Sequence, residues 1–243
     1  GRSLHGEPGV YGMDAAKVAQ QVRDLRSSNQ ADVIVVIFHG GREFTAVPPP
    51  YVVRDLRLIA QAGPDAVIGH HPHVPQGIEI HQGVPIAYSL GNFVFWQTDL
   101  NVFKHVGYMV HLDFKGSRLS AFSVTPYHVG EAGLRLLSGD RLQWFNEAMT
   151  QASAVLQKDE DIHAAWSAFV ASQDHQAMLN NLSTFASQAT AGDEASIRFA
   201  ARLRNLFLTP AHHHFYVELM QQRMTPPTLP DWAVKLVQRW AAE

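Results

Sequence analysis

The chain has no cysteine, which excludes disulfides, thiolate metal sites and cysteine nucleophiles. A metal bound here has to be held by His, Asp, Glu or Asn. The compartment stays open, because secreted and cytosolic chains can both lack cysteine. An excess of one charge is missing too. The 19 Lys and Arg stand against 22 Asp and Glu, a net charge of −3, so no broad nucleic-acid-binding face is expected. No apolar run is long enough to span a bilayer, and the N-terminus shows no signal-peptide pattern. P-loop, G-x-G-x-x-G and G-x-S-x-G motifs are absent, as are internal repeats.

What is present is apolar bulk and histidine. Hydrophobic residues make up 46% of the 243, enough for a sizeable core in one large domain or one and a half smaller ones. There are 14 histidines.

The segment Gly1 to Met13 reads as loop, without an initiator Met, and the expectation is a piece of a longer protein. Asp14 caps a predicted helix bearing Ala15, Val18, Val22 and Leu25 at helical spacing. The run Asp32 to Phe38 (DVIVVIF) predicts a parallel strand covered on both faces. It ends in His39-Gly40-Gly41-Arg42-Glu43-Phe44. Val52, Leu56 and Ile59 mark the next helix, stopped by Gly63. Asp65 to Ile68 is a second buried strand, leading into Gly69-His70-His71-Pro72-His73. Two helix-strand-loop units predict a parallel α/β layer.

The pattern then turns antiparallel. Gly77–His81 and Val84–Leu90 form a hairpin about Gln82-Gly83. Gly107–Phe114 and Arg118–His128 form another about Lys115-Gly116-Ser117, with Tyr108, Val110 and Leu112 on one face. From about Gly139 the strands stop. Helical stripes follow: Leu142, Phe145 and Met149 after Asp140 as cap; Ile162, Trp166, Phe169 and Val170; Ile197 to Phe207; Phe215 to Met220; and Trp232 to Trp240. Trp144, Trp166 and Trp232 are expected in the core.

Ligands bind at the carboxyl ends of strands in α/β sheets, and neutral imidazole is the commonest metal ligand. His39, His71 and His73 end neighbouring parallel strands, so their convergence predicts a metal site. His70 points into the sheet or bonds a carboxylate. Glu43 orients a histidine, holds a water or acts as general acid or base; the alternative is a solvated carboxylate beside Arg42. Asn92 either binds substrate oxygen or is a left-handed turn residue after Gly91. Gln76 serves substrate or structure. His212-His213-His214 is read as a surface or packing feature, not a ligand set.

Three segments in this order resemble the CapA-type bacterial capsule-synthesis (poly-γ-glutamate) proteins: Asp32–Phe44 (DVIVVIFHGGREF), Ala62–Glu79 (AGPDAVIGHHPHVPQGIE) and Ile86–Phe95 (IAYSLGNFVF). The resemblance covers roughly the first half of the chain. It implies a mixed α/β fold, the C-terminal half of a metallophosphoesterase-like (calcineurin-type) two-sheet sandwich. The expected division is residues 1–130 for that part and 139–243 for a helical region. The resemblance also implies His39, His71 and His73 as metal ligands, with Glu43 and Asn92 near the site as catalytic candidates. One departure from the family's H-W-G-x-E-Y order is assigned to Gly41. Another is the lack of a G-D or N-N-H segment before His39. A two-metal centre needs carboxylates to bridge the ions, so divalent metal ions are expected, with a full pair only in a longer protein.

The function expected from the resemblance is a metal-dependent hydrolase in capsule or cell-envelope polymer metabolism, acting on an anionic polymer or phosphoester. The alternative is a non-catalytic component of a capsule-synthesis and export complex. A generic reading is an α/β domain that binds a small anion through glycine-rich loops.

Overall fold

Two sheets carry the first half of the chain and helices fill the second. The structure is a computed structural model describing residues 13–96, 98, 101–189 and 192–241. The loop reading of Gly1 to Met13 therefore lies, up to residue 12, outside the described residues.

Helix α1 (Ala15–Ser27) starts where Asp14 accepts from the Lys17 N–H, and buries Ala15, Ala19 and Val22. Strand β1 spans Val35–His39. Helix α2 (Pro50–Ala60) opens on Pro50, a residue suited to the first helical position, and buries Val52, Val53, Leu56 and Ile59. Strand β2 (Ala66–His70) is buried up to Gly69. Strands β3 (Ile78–His81) and β4 (Val84–Ala87) form the expected hairpin. Its turn residues Gln82 and Gly83 both have left-handed backbone, φ 50° and 86°, as a two-residue hairpin requires. The sheet order is β1-β2-β4-β3, with β1, β2 and β4 parallel. A Cβ on Gly69 would lie 2.1 Å from the Tyr88 carbonyl, so only glycine lets the end of β2 approach its neighbour this closely.

One expectation fails here. The DVIVVIF run was to be covered on both faces, yet Ile37 is 71% and Val35 38% exposed. Among the described residues β1 pairs with β2 alone, so it is an edge strand with Phe38 turned inward. Hydrophobicity identified a strand, but its position in the sheet depends on distant pairing.

The second sheet follows a short 3-10 turn (Val102–His105). It comprises β5 (Val106–Lys115), β6 (Arg118–Gly130) and β7 (Gly133–Leu136). The predicted hairpin is β5–β6, with Tyr108 buried, Val110 and Leu112 packed on the core, and His111 exposed. Strand β7 was not expected; all four of its residues are exposed, so it has no buried face. Gly91 bridges to Gly107 and joins the two sheets.

The helices are α3 (Gly139–Val155), α4 (Asp159–Ala171), α5 (His175–Gln188), α6 (Glu194–Leu208), α7 (Pro210–Met224) and α8 (Asp231–Ala241). The N-cap position of α3 is Ser138, so Asp140 lies in the first turn rather than capping the helix. Helix α5 was unforeseen because it buries none of its residues. On α6 the predicted stripe faces solvent, with Ile197 60% and Phe207 63% exposed. Trp166 is buried and Trp144 packs on the core, but Trp232 is 39% exposed, against expectation; it starts α8, before that helix's buried face.

The main core runs from the parallel sheet through α3 into α4 and α8, and a smaller one joins α4, α7 and α8. Two residues, Arg57 and Trp240, brace the helices against the sheet layer and its loops. Arg57 of α2 grips Glu79 of β3 with two nitrogens at 2.9 and 2.8 Å, and also reaches Asp159 of α4 at 2.8 Å. Tyr88 donates to the same Glu79. Trp240 of α8 stacks on Phe103 at 4.1 Å and donates its indole N–H to the Pro75 carbonyl at 3.4 Å.

Candidate metal centre

His39 and His70 are register partners on β1 and β2, so the loops after them leave the same sheet edge side by side. Two backbone bonds join those loops: Gly40 N–H to the His70 carbonyl at 3.1 Å, and Phe44 N–H to the Pro72 carbonyl at 2.9 Å. The buried Gln76 side chain adds a third tie, donating to the Thr45 carbonyl at 2.9 Å. Its role in the structure is thus to hold the two loops together. Within this frame His71 and His73, either side of Pro72, adopt φ of 102° and 61°. Left-handed backbone outside glycine costs about 1–3 kcal/mol per residue and gathers at functional sites.

The result is a group of three. The ligand atoms of Glu43, His71 and His73 all lie within 4.8 Å of one another. Glu43 Oε1 is 4.0 Å from His71 Nε2. His39 stands beside the group, its ring centroid 5.2 Å from that of His71. Glu43 therefore lies in the position of a potential ligand as well as near the site, and His39 is one ring removed. His70 packs beside His39, and burial lowers its pKa, with the His39 charge adding to the effect.

Burial lowers the His71 pKa, the Glu43 carboxylate opposes this, and His39, His73 and His212 lower it further. These effects favour the neutral ring, whose lone pair can bind an ion. Asn92 fixes the other imidazole. Its Oδ1 is 2.8 Å from His73 Nδ1, while its amide nitrogen donates to the Lys104 carbonyl at 3.0 Å. The αL alternative for Asn92 does not hold, since the left-handed residue is Gly91, φ 78°. Two imidazoles and a carboxylate suit a single zinc-like or similar divalent ion; bonds of about 2.0–2.2 Å need only small side-chain movements to close the set. A second ion would need further carboxylates, and none joins this group among the described residues.

The surroundings are aromatic on one side and basic on the other. Phe44 and Phe95 flank His73 at 6.0 and 5.5 Å, with Lys104 over the Phe44 ring at 4.0 Å. On the other side a cleft of about 740 Å³ is bounded by His39, Arg42, Glu43, His71 and His212. Neither Arg42 nor His212 was assigned to the site from the sequence. Arg42 was noted only as a neighbour of Glu43. His212 lies close enough to His71, Arg42 and Glu43 to interact with their charges. Of the run His212 to His214, read from the sequence as a surface or packing feature, His214 packs, stacked on Tyr51 at 4.4 Å. His212 nonetheless borders the cleft; the signal available was its place just after Pro210, at a helix start.

The assigned departure at Gly41 is also corrected. Counted from His39, the Trp of H-W-G-x-E-Y falls on Gly40, where a Cβ would meet the Phe38 ring at 2.7 Å. Gly41, φ 105°, occupies the motif's own glycine position, which needs that backbone freedom.

Residues 3–97 match the family described as bacterial capsule synthesis protein PGA_cap. The chain is 31% identical over 159 residues to the PGA biosynthesis protein CapA of Bacillus subtilis (strain 168), covering 65% of this chain and 39% of that protein. It is 37% identical over 94 residues to the capsule biosynthesis protein CapA of Bacillus anthracis, covering 37% of this chain and 23% of that one. The chain thus spans well under half the length of these two relatives. The CapA-type resemblance carried by the three motifs is borne out, and the helices from α3 onward lie beyond the matched family segment.

Proposed function

We propose, from the match of residues 3–97 to the bacterial capsule synthesis protein PGA_cap family, that this chain supplies part of a metal-dependent hydrolase site. It acts in the metabolism of a capsule or other cell-envelope polymer, on an anionic polymer or a phosphoester. The observation that carries the reading is the grouping of Glu43, His71 and His73 within 4.8 Å. His71 and His73 hold the ion, with Glu43 as ligand or as the base that positions a water, and His39 beside them. A bound divalent ion would polarise the substrate oxygen and acidify a water. Asn92 holds the His73 ring in one tautomer, with Nε2 free to bind.

The test is metal analysis of the purified chain, together with hydrolysis of a generic phosphodiester. The His71→Ala/His73→Ala double variant is expected to lose bound metal. Metal content equal to that of the parent would sink the proposal.

A single carboxylate in the group favours a second reading, a non-catalytic component of a polymer-synthesis complex. Polymer formation that survives replacement of His39, His71 and His73 in the full-length protein would support it over hydrolysis.

A further inference from the structure

We infer that the cleft beside the histidines contains an oxyanion subsite, in which Arg42 and His212 hold a phosphate or carboxylate group of the ligand, so that the helical region completes the site. This deepens the hydrolase reading and rests on it only for the location of the reacting centre.

The first argument is an orphan. Arg42 Nε is buried without a hydrogen-bond partner. A buried charged donor left unmatched is costly, and such groups in folded proteins call for a missing partner such as a water or an ion. The guanidinium is held in place over the Phe215 ring, 4.5 Å from its centroid. Phe215 is almost fully buried on α7, so the C-terminal helices fix the arginine from behind. A planar fork of donors held this way fits the paired oxygens of a carboxylate or phosphate.

The second argument is the space and its charge. The cleft, about 740 Å³, opens between Arg42, Glu43 and His71 on the sheet side and Thr209 to His212 on the helical side. That volume suits a small ligand or the end of a polymer. Its acidic groups are already engaged. Asp55 takes the Arg54 guanidinium at 2.8 Å, and Glu43, 4.0 Å from His71, is the one carboxylate whose charge also acts on Arg42 and His212. Arg42 and the imidazole of His212 remain to meet an incoming anion. An oxyanion here would lie beside the histidine group, where a bond carried by the same ligand can reach it.

The experiment is calorimetric titration of the 243-residue chain with inorganic phosphate and, separately, with a short glutamate oligomer, both in the presence of a chelator. The chelator separates this subsite from metal-dependent binding, and metal content is measured on the same variants. Saturable binding of at least one ligand is expected. Arg42→Met removes the guanidinium from over Phe215 and should weaken binding about tenfold or more. His212→Ala should weaken it severalfold, and Arg118→Met on the β5–β6 turn should leave it unchanged. Tighter binding of phosphate points to a phosphoryl group, tighter binding of the oligomer to a carboxylate. If Arg42→Met does not fold, as judged by circular dichroism, Arg42→Lys and His212→Ala decide. Parent-like affinity in the folded Arg42 variant, equal loss in Arg118→Met, or no binding of either ligand overturns the inference. Loss of metal from His71→Ala/His73→Ala with anion binding intact would leave both readings standing; retained metal there would remove only the hydrolase one.

Discussion

Asn92 Oδ1 accepts the proton on His73 Nδ1 across 2.8 Å, and its amide nitrogen donates to the Lys104 carbonyl at 3.0 Å. The second bond sets the orientation of the amide, because only the nitrogen can face a carbonyl. The first then determines which nitrogen of His73 keeps its lone pair. Tyr127 holds the same residue from below, its hydroxyl donating to the Asn92 carbonyl at 3.0 Å.

Asn92→Ala frees the His73 ring without touching a donor atom. Loss of such a supporting bond typically weakens metal binding about 10- to 100-fold. Zinc titration against a competing chelator should show that drop in protein still folded by circular dichroism, with the thermal midpoint lowered as two buried side-chain hydrogen bonds are lost. Parent-like affinity would mean that the asparagine does not steer the ring.

Arg57 and Glu79 form the most buried ion pair described, with side-chain exposures of 19% and 6%. Arg57→Ala strands a carboxylate that also accepts from Tyr88. Breaking such a pair costs about 3–5 kcal/mol. Urea unfolding should register a loss of that order, and Arg57→Ala/Glu79→Leu should recover part of it. A loss below about 1 kcal/mol would place the pair among the weak surface bridges.

Two histidines outside the cleft make stability depend on pH. His128 and His214 both have pKa values lowered from 6.5, in each case first by burial. His128 also faces Arg141, His105 and Arg135, while His214 faces His213 and Arg54, with Asp55 opposing. Between the lowered folded value and 6.5 the unfolded chain binds more protons, so stability rises with pH there. It is fully present above about 6.5 and is lost as pH falls through the folded values. The thermal midpoint should drop on acidification below 6.5, and less so in His128→Gln/His214→Gln. A midpoint equally flat in parent and variant would remove the claim.

Much of this was legible before any coordinates. Asp14 caps α1, Gln82-Gly83 makes a tight turn, and the stripes on α2 and α4 are buried, because each depends on neighbours within a few residues. The loop bearing His71 and His73 stood out for the same reason. What escaped depends on long-range placement. The apolar run of β1 could not tell that Ile37 faces outward. Helix α5 has no buried residue, so no stripe marked it. His212 is separated from His71 by the whole second sheet and most of the helices, and no spacing rule could bring it to the cleft.

The indole of Trp240 reaches back 165 positions to the carbonyl of Pro75, two residues past His73. The last helix is therefore a keel under the histidine loop. A truncation just before that indole would spare every imidazole in the cleft and still slacken the floor on which two of them stand.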